Sequence, residues 1–270
     1  MGRLIILVSL LACSICVNAQ DTVFMAKPQK SFAGSYTDFT VDEVGNIYIV
    51  IKESQLKKID RNGDSVAVFN DIRKYGNIHS VDVTNPLKIL VFYKATSTIV
   101  ILDRLLSVRQ VIDLRKSNIQ GVTSIRLSYD NNIWVFDELE SRIKKIDDNG
   151  KLIFQSADLR NVFSSAPSFQ SVFDSNNSLY LYDPKLGWFT FDYYGAFKKK
   201  QAFLNWNDVQ VLNNSLIGRD RHQIFTAKAT DFDFKAVKLP ASINTSIKIL
   251  HSSKQAYILF PDRLEIFDAL

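Results

Sequence analysis

The chain has 270 residues, a formal net charge of +5, 46% hydrophobic residues, ten glycines and two cysteines. Its charges are dispersed rather than gathered into a basic block, which argues against nucleic acid as a partner. With so few glycines, a phosphate-cradling or dinucleotide-binding loop would stand out, and none is present.

The first residues read as a targeting segment. Arg3 supplies a positive start, Leu4 to Leu11 an apolar run, and Val17-Asn18-Ala19 the small or apolar positions of a peptidase site. This layout predicts a secretory signal over 1–19, cut before Gln20, and a single domain over 20–270. The apolar run is too short to span a bilayer, which takes roughly 20 residues, and no second such run follows. Leu10-Leu11-Ala12-Cys13 offers a competing lipobox-like site, at which Cys13 would carry a lipid anchor. Both cysteines, Cys13 and Cys16, fall in this segment, so a chain cut after Ala19 relies on core burial and not on a disulfide.

Beyond the leader, Thr22-Val23-Phe24-Met25-Ala26 is an isolated strand signal. An internal repeat then begins. Asp42-Glu43-Val44-Gly45-Asn46-Ile47-Tyr48-Ile49-Val50 is followed by Leu56-Lys57-Lys58-Ile59-Asp60-Arg61-Asn62-Gly63. A second copy reads Tyr129-Asp130-Asn131-Asn132-Ile133-Trp134-Val135-Phe136, then Ile143-Lys144-Lys145-Ile146-Asp147-Asp148-Asn149-Gly150. Short runs of Ile, Val, Phe and Tyr are punctuated by Gly-Asn, Asn-Asn and Asn-Gly, the pattern of strands joined by tight hairpins.

The Asp closing the third strand acts as a ruler. It stands at Asp60, Asp103, Asp147 and Asp192, at steps of 43, 44 and 45 residues, then in degenerate form near Lys228, and last at Asp268. Four strands in about 40–45 residues is the period of a propeller blade, and six rulers predict a six-bladed all-β propeller. The last repeat lacks a fourth strand, which the strand at 22–26 is expected to supply, closing the ring and covering its edges.

The Asp-x-x-Gly-Asn-Ile-Tyr and Lys-Lys-Ile-Asp-x-Asn-Gly patterns resemble those of exported, six-bladed, NHL-like propellers of Bacteroidota. The resemblance covers nearly the whole chain after the leader. It implies a non-catalytic interaction or assembly protein of the cell envelope. It also implies a periplasmic location beside the outer membrane, with a protein partner such as the type 9 secretion translocon, for which a plug-like subunit of this size would serve. The pattern specifies architecture and is silent on chemistry.

Candidate partner-binding residues come from the connections between blades. Asp71-Ile72-Arg73, Asp113-Leu114-Arg115 and Asp158-Leu159-Arg160 recur at equivalent places. Arg73, Arg115 and Arg160 could form a crescent that grips carboxylates or phosphates; the competing reading is that each Asp–Arg pair joins neighbouring blades. Tyr75, Phe163, Trp188 and Trp206 lie in or near these connections, either as exposed interface aromatics or as plugs between blades.

Catalytic signals are weak. His79, His222 and His251 lack a metal-ligand spacing, and no cofactor is expected. There is no nucleophile elbow. A calcium-dependent propeller hydrolase or lactonase remains the alternative, requiring free carboxylates at the axis, with Glu53, Asp137, Asp183 and Asp220 as loop acids that turn capping would equally explain. A glycan- or peptide-binding module is the third reading.

Overall fold

The computed structural model describes residues 27–51 and 55–268. It is a six-bladed β-propeller of antiparallel four-stranded sheets. From the axis outward, blade 1 comprises Tyr36–Val41, Ile47–Ile51, Leu56–Ile59 and Ser65–Phe69. Blade 2 comprises Ser80–Asn85, Lys88–Tyr93, Thr98–Leu102 and Val108–Asp113; blade 3 Val122–Leu127, Ile133–Asp137, Arg142–Ile146 and Leu152–Gln155. Blade 4 runs through Ser171–Ser175, Ser178–Asp183, Gly187–Phe191 and Phe197–Gln201, and blade 5 through Asn207–Leu212, Ser215–Arg219, Gln223–Lys228 and Lys235–Lys238. Blade 6 takes Lys248–His251, Gln255–Leu259 and Arg263–Asp268 from the end of the chain and Lys30–Ala33 from its beginning.

An N-terminal strand therefore closes the ring, but the closing residues are Lys30–Ala33, paired from Lys30↔Ile266 to Ala33↔Arg263. The strand expected at 22–26 lies outside the described residues, as do the leader, Cys13 and Glu53.

The middle strands are apolar on both faces because each blade is covered on both sides. Alternation by two then assigns every residue to a neighbour. Ile47 and Ile49 of blade 1 pack with Tyr257 and Leu259 of blade 6, whereas Tyr48 and Val50 pack with Ile89 and Val91 of blade 2. The same division produces a buried cluster at each of the other four blade interfaces. The rings read from the sequence either as interface aromatics or as plugs between blades largely belong here. Trp188 is 0% and Trp206 4% exposed. Tyr75 is buried against Tyr93 at 5.1 Å, and half-buried Phe163 meets Phe189 and Phe197 edge-on at 5.0 and 4.9 Å. Their apolar area stabilises the ring more than a single aqueous contact would, so they plug gaps between blades.

The Asp ruler has a physical cause. Asp60 Oδ1 accepts from the backbone N–H groups of Asn62, Gly63 and Asp64 at 2.8–2.9 Å. Asp103, Asp147 and Asp192 accept in the same way from the second and fourth residues after them. Gly63 and Gly150, not the preceding asparagines, take the positive φ, and the third-to-fourth strand register shifts just there. The hairpin is thus a type I turn with a glycine bulge, longer than a two-residue Asn-Gly turn. Blade 5 has no such Asp and no such shift. Trp206 instead lies across its second strand at Gly218, where an added Cβ would come within 2.7 Å of the indole.

Polar clasps stitch the blades in place of covalent links. Lys58 Nζ of blade 1 donates to Arg104 O of blade 2 at 3.0 Å, and Lys88 Nζ of blade 2 to Asn131 O of blade 3 at 2.5 Å. Trp134 Nε1 of blade 3 donates to Asp174 of blade 4 at 2.9 Å, and Lys199 Nζ of blade 4 to Ala229 O of blade 5 at 2.5 Å. Asp208 of blade 5 accepts from Ile249 N of blade 6, and Lys248 Nζ of blade 6 reaches Asp38 and Phe39 O of blade 1.

Candidate functional site

The ring leaves two places where a ligand or partner could meet it: the axial channel and the face carrying the second-to-third strand loops and the blade-to-blade connections. The innermost strands line a cavity of ≈ 450 Å³, and a second of ≈ 970 Å³ opens toward the hairpin face. Thr40, Asp42, Asp82, Arg126 and His251 line both, so the two cavities adjoin at this level.

The channel carboxylates are engaged. Asp42 accepts from Val44 N, Asn46 N and Nδ2, and Tyr48 Oη at 2.7–3.1 Å. Asp82 accepts from Thr84 N and Leu127 N at 2.9 and 2.6 Å, with Arg126 Nη1 at 3.7 Å. Asp208 holds Arg219 Nε at 2.5 Å, and Asp38 holds Lys248 Nζ at 2.6 Å. Each carboxylate thus places at least one oxygen on a backbone amide or on a cation of its own or the adjoining blade. Among the described residues, no three His, Cys, Asp or Glu side chains gather as a metal site.

The histidines stand apart. His251 ends the innermost strand of blade 6, where burial, opposed by Asp208, pulls its pKa down to about 4. His79 opens blade 2's inner strand and is also pulled down, by burial and then by the charge of Lys94. His222 sits in a loop whose turn is capped by Asp220. Asp137 and Asp183 are likewise structural. Asp137 is 1% exposed and bonds Lys144 Nζ at 2.8 Å, and Asp183 accepts from Ser168 N and Lys185 N. Turn capping and internal pairing thus account for the described loop acids.

On the connection face, the three Asp-x-Arg corners diverge. Among the described residues, none of their arginines joins one blade to the next. Arg160 folds back on Asp158, with Nε and Nη2 at 2.9 and 2.7 Å from its two oxygens, a two-point grip. These hydrogen bonds, foremost that of the guanidinium, hold the Asp158 carboxyl down at about 2. Beside it, Lys144 is 3% exposed between Asp137 and Glu140, each at 2.8 Å. The Arg115 side chain touches Asp113 through Nε at 3.4 Å and is 59% exposed. Arg73, in the one-turn helix Ile72–Tyr75, is exposed and has no ion pair among the described residues. Three loops lie side by side here. Thr96 Oγ1 donates to Tyr75 O at 3.2 Å, and Leu114 N donates to Ser97 O at 2.9 Å. They bring exposed Arg73, Lys74, Lys94, Arg115 and Lys116 onto one surface. The sequence marked the two arginines. Lys74 and Lys116 follow those arginines directly in sequence, but nothing marked Lys94, because adjacency between 72–75, 94–97 and 114–119 arises only once the ring is closed.

No family model matches the chain, and no curated protein matches it in sequence. Solved structures do match in shape. Virginiamycin B lyase from Staphylococcus aureus, crystallised with quinupristin, aligns with a TM-score of 0.65 at 12% identity, over 89% of this chain and 99% of that one. The extracellular domain of a putative hybrid two-component system from B. thetaiotaomicron aligns at 0.58 and 13% identity, over 87% of this chain and 33% of that one. BamB from Moraxella catarrhalis aligns at 0.50 and 12% identity, over 85% and 81%. At these identities the likeness is one of fold.

Proposed function

We propose that the protein is a non-catalytic, exported propeller that binds another protein in the bacterial cell envelope, on the periplasmic side of the outer membrane. The observation that carries this reading is the contrast between a channel whose carboxylates are already engaged and a connection face on which cations stand exposed over blades 1 and 2. Catalysis at the axis needs groups free to act on a substrate, whereas a rigid disc with charged loops suits recognition. The leader at 1–19 supports export, and the absence of a helix long and apolar enough to cross a membrane, among the described residues, fits peripheral attachment. Propellers of similar shape include a BamB and the extracellular domain of a putative hybrid two-component system, which fits an envelope setting. The type 9 secretion translocon is the partner that the repeat's resemblance favours.

The test is affinity purification of the tagged protein from its native envelope in mild detergent, with mass spectrometry and metal analysis of the eluate. An outer-membrane protein recovered near one-to-one is the expected result. Recovery of the protein alone with stoichiometric calcium would overturn the reading in favour of a channel-centred hydrolase.

A further inference from the structure

We infer that the connection face of blades 1 and 2 is a docking surface for an acidic, carboxylate-rich segment of a protein partner, with Arg73 and Lys116 marking its two ends. The inference rests on the protein-binding reading and names the partner's chemistry. Three hydrogen-bonded loops set five exposed cations, Arg73, Lys74, Lys94, Arg115 and Lys116, in a fixed arrangement. Within these loops only Asp71 and Asp113 oppose them among the described residues, and Asp113 already accepts from Arg115 N at 3.1 Å; the next acid, Glu138, whose N–H donates to Gly121 O at 2.8 Å, accepts from Ser168 Oγ. The surplus positive charge is held on backbone that cannot collapse to relieve it, so an incoming anion supplies the missing counter-charge. Guanidinium groups at a corner of this kind bind carboxylates in two-point geometry, as Arg160 does with Asp158 within this same chain.

The surface favours protein over lipid. Membrane-docking faces pair cations with exposed apolar side chains that enter the interface. None of the large apolar residues exposed on this protein lies in 70–79, 94–97 or 114–121. Of the large exposed apolar groups on the connection face, Leu139 abuts these loops at Gly121, a lone leucine at their edge, while Val162, Leu204 and Ile247 belong to later blades.

The experiment uses the purified protein and fluorescence anisotropy. The probes are a short labelled peptide alternating Glu and Gly, its Gln-for-Glu counterpart, and phosphatidylglycerol vesicles. The acidic peptide should bind, and its affinity should fall steeply as salt rises past about 0.1 M, where the Debye length has shrunk to about 10 Å. Arg73→Glu combined with Lys116→Glu should weaken it by about tenfold or more, and Arg160→Glu should leave it within about twofold, since that guanidinium is already neutralised. Equal binding of the Gln peptide, vesicle binding without peptide binding, or equal loss in the two charge reversals would each overturn the inference. If a partner co-purifies with the wild type yet the reversed variants show no loss of peptide, this inference fails while the protein-binding reading stands.

Discussion

The corner after blade 3 and the corners after blades 1 and 2 begin from the same triplet and end in opposite states. After blade 3, Arg160 is clamped by Asp158, and Lys144 is buried between Asp137 and Glu140. After blades 1 and 2, Arg73 has no partner among the described residues and Arg115 only a long contact with Asp113. The difference shows that a repeated motif need not carry a repeated role. The local acids decide whether a corner closes on itself or stays open to a partner. Blade 3 supplies Glu138 and Glu140 in its second-to-third strand loop, where blade 2 supplies Lys94.

The comparison makes a strong claim about stability. Lys144→Ala strands the carboxylate of Asp137, 1% exposed, without its cation, and should cost about 3–5 kcal/mol in urea unfolding. Lys94→Ala removes an exposed cation with no ion pair among the described residues, and its midpoint should stay within the error of the measurement. Equal costs at the two sites would break the distinction between a structural corner and an open one.

A smaller effect is expected from pH. His251 has its folded pKa pulled below the unfolded value of 6.5, to about 4, so the unfolded chain binds the extra proton. Stability on this account is full above about pH 6.5 and declines as pH falls toward 4, by on the order of 2–3 kcal/mol. Thermal melts across that window should show the slope, and His251→Gln should flatten it. Asp158 of the corner after blade 3 should contribute little over most of that window, because its stabilisation is full well above the unfolded carboxyl value of 3.8 and is lost only as pH falls from about 4 toward its folded value of about 2. The finest test is the carboxyl titration of Asp158 by carbon NMR. Its midpoint should lie near 2 in the wild type and move upward in Arg160→Ala, whose guanidinium is the main cause of the depression.

The architecture was legible because each blade repeats a physical device. Asp60, Asp103, Asp147 and Asp192 recur since each carboxylate caps a hairpin that the backbone alone would leave with unpaired N–H groups. Closure by an N-terminal strand was legible from the missing fourth strand, but its register was not. Lys30–Ala33 is a poor strand by composition and wins its place by pairing with Arg263–Ile266. The fate of the aromatics was also hidden. Whether Trp188 or Trp206 faces water depends on the neighbouring blade, and Trp206 fits only because Gly218 leaves room for its ring. At the candidate site, the arginines were visible as a repeat. Their division into clamped and open was not, because it turns on Asp158 adopting a two-point geometry that Asp113 does not share.

The central claim is that the open corners of blades 1 and 2, not the channel or the closed corner, meet the partner. Tagged wild type, Arg73→Glu/Lys116→Glu and Arg160→Glu, each purified from the native envelope in mild detergent, compare these surfaces directly. The account predicts a co-eluting outer-membrane protein with wild type and Arg160→Glu, and its loss with the double reversal. Full recovery with the double reversal, or loss with Arg160→Glu alone, would contradict it.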